Sequence, residues 1–222
     1  MKVILFDLDG TLVDTAPDLA GALDHALQSQ GRPAVGLDAV RHMVGDGAVA
    51  LVERGLEATG GITSPTQFKA AVDAFFVYYG ANLAATSRPF PGVVACLEGL
   101  RRDGYRLAVC TNKTEQFTRP LLDQLDLTRH FDAIVGGDSF SVKKPDPGHL
   151  TGTIDRATAG AAASWAAMVG DSANDINAAK AAGLPSVVVS FGYTRIPPHE
   201  LGADRLIDHF DELRAALNAL GA

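Results

Sequence analysis

Apolar residues run without interruption from Val3 to Phe6 and stop at Asp7. A short, continuous apolar run predicts a strand buried on both faces of a parallel sheet. Comparable runs follow at Leu107–Cys110, Ala133–Val135, Ala167–Val169 and Val187–Val189, with helical periodicity or helix-start signals between them. That alternation predicts βα units and an α/β fold built on a doubly wound, Rossmann-like parallel sheet.

The interval between the first two runs has a different pattern. Leu19, Leu23, Ala26 and Leu27 recur at helical spacing, as do Val49, Val52 and Leu56, and then Val72, Phe75, Phe76 and Tyr79. Thr15-Ala16-Pro17-Asp18 and Ser64-Pro65-Thr66-Gln67 both carry the hydroxyl-x-x-acid/amide spacing of a capping box, with proline in the first turn. The expected organisation is an α/β core from residues 1–14 and 88–222, interrupted by a helical domain over 15–87. The chain would re-enter the core near Arg88-Pro89-Phe90-Pro91-Gly92.

Composition narrows the partners. The 222 residues are 47% hydrophobic, enough for one core and a smaller module. Acidic residues outnumber basic ones 26 to 19, giving a formal charge of −7 that disfavours a nucleic-acid or membrane surface. An anionic ligand must then be held by a few local cations or a metal. Cys96 and Cys110 lie in apolar stretches, and Lys2 precedes only a short apolar run, unlike a signal peptide. No apolar run approaches the roughly 20 residues of a membrane span. The expectation is a cytoplasmic monomer or homodimer acting on a small molecule.

In open parallel sheets ligands bind beyond the carboxyl ends of the strands. The first run ends in Asp7-Leu8-Asp9-Gly10-Thr11, the second in Thr111-Asn112-Lys113, and the fourth in Gly170-Asp171-Ser172-Ala173-Asn174-Asp175, while Lys143-Lys144-Pro145 follows the third. Brought to one edge, these residues form an oxygen-rich pocket suited to a hard divalent cation, Mg2+ above all. Asp7 and Asp171 could not both stay ionised at close range without such a cation.

These residues resemble the haloacid dehalogenase superfamily of phosphohydrolases. Asp7-x-Asp9-Gly10-Thr11-Leu12-Val13-Asp14 is similar to its first motif, Thr111 to its second, Lys144 to its third, and Gly170-Asp171-x-x-x-Asp175 to its fourth. The insert resembles a C1-type cap. The resemblance implies phosphate-ester hydrolysis through an aspartyl-phosphate, with Asp7 as nucleophile and Asp9 as acid and base. It also implies metal ligands at Asp7, the Asp9 carbonyl and Asp171, with Asp175 supporting the metal or its waters. Thr111 and Lys144 would hold the phosphoryl oxygens. Lys143 is read as a surface residue. Gly10, Thr11 and Asn112 are expected beside the phosphate, Gly10 permitting a tight turn.

Asp9 separates this chain from dehalogenases, because halide departure needs no proton. Within the superfamily, Val44-Gly45-Asp46-Gly47 with Leu51-Val52-Glu53-Arg54, Lys143-Lys144-Pro145-Asp146-Pro147 and Phe191-Gly192-Tyr193 resemble the phosphoglycolate phosphatases. The implied substrate is a small phosphorylated metabolite, 2-phosphoglycolate. Gly45 and Gly47 are expected in a cap loop facing the site, and Arg54 or Arg41 to meet the substrate carboxylate, with His42 and Tyr193 behind them. The alternatives are another small-metabolite phosphatase or a sugar-phosphate mutase, against which Ala48 replaces an expected polar side chain. A phospho-accepting receiver domain would explain neither the insert nor Asp9.

Overall fold

The computed structural model describes all 222 residues. Strand β1 (Lys2–Phe6) leads through a tight turn into the two-residue strand β2 (Val13–Asp14). Four helices follow: α1 (Ala16–Ser29), α2 (Leu37–Arg41), α3 (Ala48–Ala58) and α4 (Pro65–Ala81). Strand β3 (Arg88–Pro89) returns antiparallel to β2. The chain continues as α5 (Val93–Arg102), β4 (Arg106–Cys110), α6 (Glu115–Gln124), β5 (Ala133–Val135) and α7 (Pro147–Ala157). It finishes with β6 (Trp165–Gly170), α8 (Ala173–Ala181), β7 (Ser186–Val189), β8 (Arg205–Ile207) and α9 (Leu213–Ala219).

Six strands form one parallel sheet in the order β5-β4-β1-β6-β7-β8. Strand order reverses at β1, which opens a crevice beyond its carboxyl end. Phe6 pairs with Val109 on one side and Val169 on the other, so the residues after these strands emerge together. The uninterrupted apolar run of β1 is explained by burial on both faces: Ile4 and Phe6 pack with Val109 and Val187, whereas Val3 and Leu5 pack with Ala108, Met168 and Leu150.

The sixth strand was not visible in the apolar pattern. β8 is an edge strand in which Arg205 and Leu206 are exposed and Ile207 alone is buried, so it carries no continuous run. The β2–β3 pair was missed because two residues per strand leave no periodicity to read.

Helices α1 to α4 have their own apolar cluster, including Leu19, Leu23, Leu51, Leu56, Phe75 and Tyr79, and Phe117 of α6 is the one member outside residues 15–87. Val49 is exposed; the buried face of α3 is Leu51, Val52, Gly55 and Leu56. Gly55 is needed there because a Cβ would lie 2.6 Å from Leu23.

The two capping boxes fare differently. Ser64 accepts from the Gln67 amide at 3.1 Å, and Gln67 Oε1 accepts from the Thr63 amide at 3.1 Å. Thr15 makes no side-chain cap. Its hydroxyl donates to Asp9 at 2.8 Å, and Asp18 accepts from the Ser87 amide and hydroxyl at 2.7 and 2.6 Å, pinning the start of α1 to the returning strand. Burial pushes the Asp18 carboxyl up, but the Ser87 and Thr86 donors outweigh it and hold the group below the usual range.

Candidate active site

Asp7 follows β1 and is nearly buried at the switch point. The Lys144 ammonium stands 2.9 Å from Asp7 Oδ1 and 2.6 Å from Asp175 Oδ1. Asp175 Oδ2 accepts from the Ser172 amide and hydroxyl at 3.0 and 2.7 Å and from the Asp171 amide at 3.2 Å. Both Asp175 oxygens are thus engaged: the carboxylate caps α8 and anchors Lys144. Asp171 in turn accepts from the Tyr193 amide at 2.6 Å and the Thr11 hydroxyl at 3.2 Å. Gly10, at φ +85°, leaves room for this carboxylate, since a Cβ there would lie 2.4 Å from Asp171 Oδ2.

Burial pushes the Asp7 carboxyl up to about 6, with Lys144 pulling it down and Asp175 pushing it further up. Burial and the Asp7 and Asp175 charges raise Asp171 well above the carboxylate range. For Lys144, burial works against the ammonium, but Asp175 and Asp7 outweigh it and raise its pKa. Asp7, Asp171 and Asp175 each offer an oxygen within 4.8 Å of the others, with one ammonium among them. Asp7 Oδ1 accepts no well-aligned hydrogen bond, and no backbone donor meets the Asp9 carbonyl. This donor set, all oxygen and short of positive charge, fits a hard divalent cation held by Asp7, Asp171 and the Asp9 carbonyl.

Asp9 is paired as well. Lys113 Nζ donates to both of its oxygens, at 2.9 and 3.0 Å, and lies 4.8 Å from the Tyr79 ring centroid. Burial pulls the Lys113 ammonium down, and the Asp9 charge overrides this, so its pKa is raised. The sequence signal for Lys113 was its place after Thr111-Asn112 at a strand end, but its partner lies 104 positions away in the chain.

Asp7, Asp9 and Thr111 open into a cavity of about 30 Å³ roofed by Val44, Gly45, Gly47, Ala48 and Leu51. The Gly45 carbonyl accepts from Asn112 Nδ2 at 3.0 Å and Asn174 Nδ2 at 3.2 Å. Asn174 also donates to Asp46 Oδ1 at 2.7 Å, and Lys143, exposed as expected, donates to the Asp46 carbonyl at 2.8 Å. The loop is therefore tied down onto the sheet edge by core side chains. Asn112 also donates to the Lys144 carbonyl at 3.0 Å.

Arg54 does not reach this cavity. Its guanidinium is engaged by Asp46 and the Met43 carbonyl within the insert. Arg41 is half-exposed and lies 3.6 Å from Asp14. His42 accepts through its carbonyl from Arg195. Tyr193 bonds Asp14 and accepts from the Ala16 amide at 3.0 Å, which places it at the junction of insert and sheet. Thr11 is turned to Asp171 and does not line the cavity.

A parallel sheet thus carries a lysine-clamped carboxylate at its switch point, under a helical insert. Sequence comparison identifies the lineage: a family model described as haloacid dehalogenase-like hydrolase matches residues 4–189. The chain is 47% identical to a phosphoglycolate phosphatase of Caulobacter vibrioides, over 93% of this chain and 86% of that one. It is 44% identical to a phosphoglycolate phosphatase of Agrobacterium fabrum, over 96% of this chain and 91% of that one. A crystal structure described as a predicted phosphoglycolate phosphatase from Haemophilus somnus superposes with a TM-score of 0.90 at 34% identity, covering 97% of both chains. The protein belongs to the haloacid dehalogenase-like hydrolases and, among them, to the phosphoric monoester hydrolases. No helix is long and apolar enough to cross a membrane.

Proposed function

We propose that the protein hydrolyses 2-phosphoglycolate to glycolate and phosphate, with Mg2+ as cofactor and Asp7 as nucleophile. The observation that carries this reading is that Asp7 and Asp9 open into one cavity, Asp7 clamped by Lys144 and Asp9 by Lys113. Support for the substrate comes from the relatives, which are named phosphoglycolate phosphatases.

An Asp7 oxygen attacks phosphorus as the bond to the leaving oxygen breaks, giving an aspartyl-phosphate. To act as acid the Asp9 carboxylate, paired here with Lys113, first takes up a proton from solvent, gives it to the departing glycolate oxygen, and then takes one from the water that cleaves the acyl phosphate. General acid-base assistance of this kind contributes about 10² to 10⁴-fold. Lys144 and the Thr111 hydroxyl face the phosphoryl oxygens, where negative charge must be balanced. Asp7, Asp171 and the Asp9 carbonyl would hold Mg2+, which supplies charge neutralisation at the phosphoryl group. Residues 1–14 and 88–222 serve as the catalytic core, and residues 15–87 as a cap that excludes water and selects the ester.

The test is phosphate release across small phosphate esters, hexose phosphates and nucleotides, with Mg2+ present and then chelated. The expected result is a Mg2+-dependent preference for 2-phosphoglycolate. A hexose phosphate or nucleotide far ahead of it overturns the substrate, and an isomeric sugar phosphate in place of free phosphate overturns hydrolysis.

A further inference from the structure

The cavity beside Asp7 and Asp9 holds polar groups that neither the fold nor the mechanism uses. Tyr79 is 1% exposed, yet its hydroxyl makes no well-aligned hydrogen bond, with the Lys113 ammonium as a near neighbour. Thr114 stands at the N-cap of α6, where a hydroxyl ordinarily accepts from the first-turn amides, but its Oγ1 is buried without any partner. Both line the cavity, as does Lys113. Buried polar atoms are almost always paired in folded proteins, and leaving one unpaired is costly. Burial pushes the Tyr79 phenol up to about 12, so it remains a proton donor at neutral pH.

The chemistry of the missing partner follows from these donors. Two hydroxyls and an ammonium converge on a site with apolar walls at Leu19, Leu51 and Phe117. Such a set takes an anion. The Asn112 Oδ1 acceptor, also unpaired, is left for a donor such as water. Position decides which anion: Lys113 is one hydrogen bond behind Asp9, and Asp9 is the group that must meet the ester oxygen. In a phosphorylated 2-hydroxy acid the carboxyl carbon is only two bonds beyond that oxygen.

We infer that Lys113, Tyr79 and Thr114 form the carboxylate subsite, and that they, not an arginine of the cap, select esters whose carboxylate lies two bonds from the leaving oxygen. The inference rests on the proposed hydrolysis of 2-phosphoglycolate. It places the specificity determinant partly on the core, at Lys113 and Thr114, and partly on α4, at Tyr79, so the subsite is complete only with the insert closed.

The test compares kcat/KM for 2-phosphoglycolate and for ethyl phosphate, which matches it without the carboxylate, in the wild type, Tyr79→Phe, Thr114→Val and Lys113→Met. The wild type should prefer 2-phosphoglycolate. Tyr79→Phe and Thr114→Val should each lower that preference by roughly 5- to 10-fold, the scale of one lost hydrogen bond. Lys113→Met should slow both esters through Asp9, and lower the preference further. Tyr79→Phe should melt at or above the wild-type temperature, because it removes a buried polar atom that makes no well-aligned hydrogen bond. A wild type without the preference overturns the functional reading itself. A preference that survives all three substitutions overturns the subsite alone, as does a Tyr79→Phe protein that loses stability and slows equally on both esters.

Discussion

Lys144 Nζ lies 2.6 Å from Asp175 Oδ1 and 2.9 Å from Asp7 Oδ1, so the helix-capping carboxylate has the closer grip on the lysine. The two contacts divide the work: Asp175, itself fixed at the start of α8, positions the ammonium, and the ammonium faces Asp7, the proposed nucleophile.

Replacing Lys144 with Met would leave Asp7, Asp171 and Asp175 buried without a cation. The folded-state pKa values of Asp7 and Asp171 would rise further above the unfolded ones, and a carboxyl raised in this way loses stability as pH rises. The expected cost is about 3 to 5 kcal/mol at pH 8, the scale of breaking a buried ion pair, and clearly less at pH 5. Urea denaturation of the metal-free variant at both values checks this; an equal cost at the two pH values would contradict it.

The metal-free protein should show a related trend. With the Asp7 carboxyl pushed up to about 6, the folded chain holds a proton that the unfolded chain has released, so stability falls as pH rises from roughly 4 to 6. Mg2+ competes with that proton. Thermal melts with Mg2+ or chelator should show a larger stabilisation by Mg2+ at pH 8 than at pH 5, with apparent affinity about ten-fold weaker at pH 5. A pH-independent shift would argue against Asp7 as a ligand.

Asn174 donates to both the Gly45 carbonyl and the Asp46 carboxylate and so ties the loop to the core. Asn174→Ala should make closure less favourable by about 1 to 2 kcal/mol, raising KM for 2-phosphoglycolate roughly 5- to 30-fold with a smaller change in kcat. Steady-state kinetics test the split. An unchanged KM would mean that these contacts do not hold the cap.

The order of apolar runs made the parallel sheet legible because β1, β4 and β6 are buried on both faces, and the strand-end rule then pointed to Asp7, Thr111 and Asp171. Strand β8 escaped because an edge strand needs only one buried residue. The site was legible as a set of residue types but not as pairings. Nothing local distinguishes Lys113, which holds Asp9, from Lys143, which reaches only the cap loop. Arg54 looked available for a substrate because its partner Asp46 sits in the loop before α3, eight positions away, and sequence spacing alone does not reveal that ion pair. The orphaned hydroxyls of Tyr79 and Thr114 are visible only once every neighbour is placed.

The most direct measurement is phosphate release from 2-phosphoglycolate in Mg2+ by the wild type and by Asp7→Asn, a nearly isosteric change that removes the attacking charge. The predicted result is rapid release by the wild type and a loss of about 10³-fold or more in the variant, with its far-ultraviolet circular dichroism unchanged. An Asp7→Asn protein that still releases phosphate within about ten-fold of the wild-type rate would contradict Asp7 as the nucleophile and the mechanism built on it.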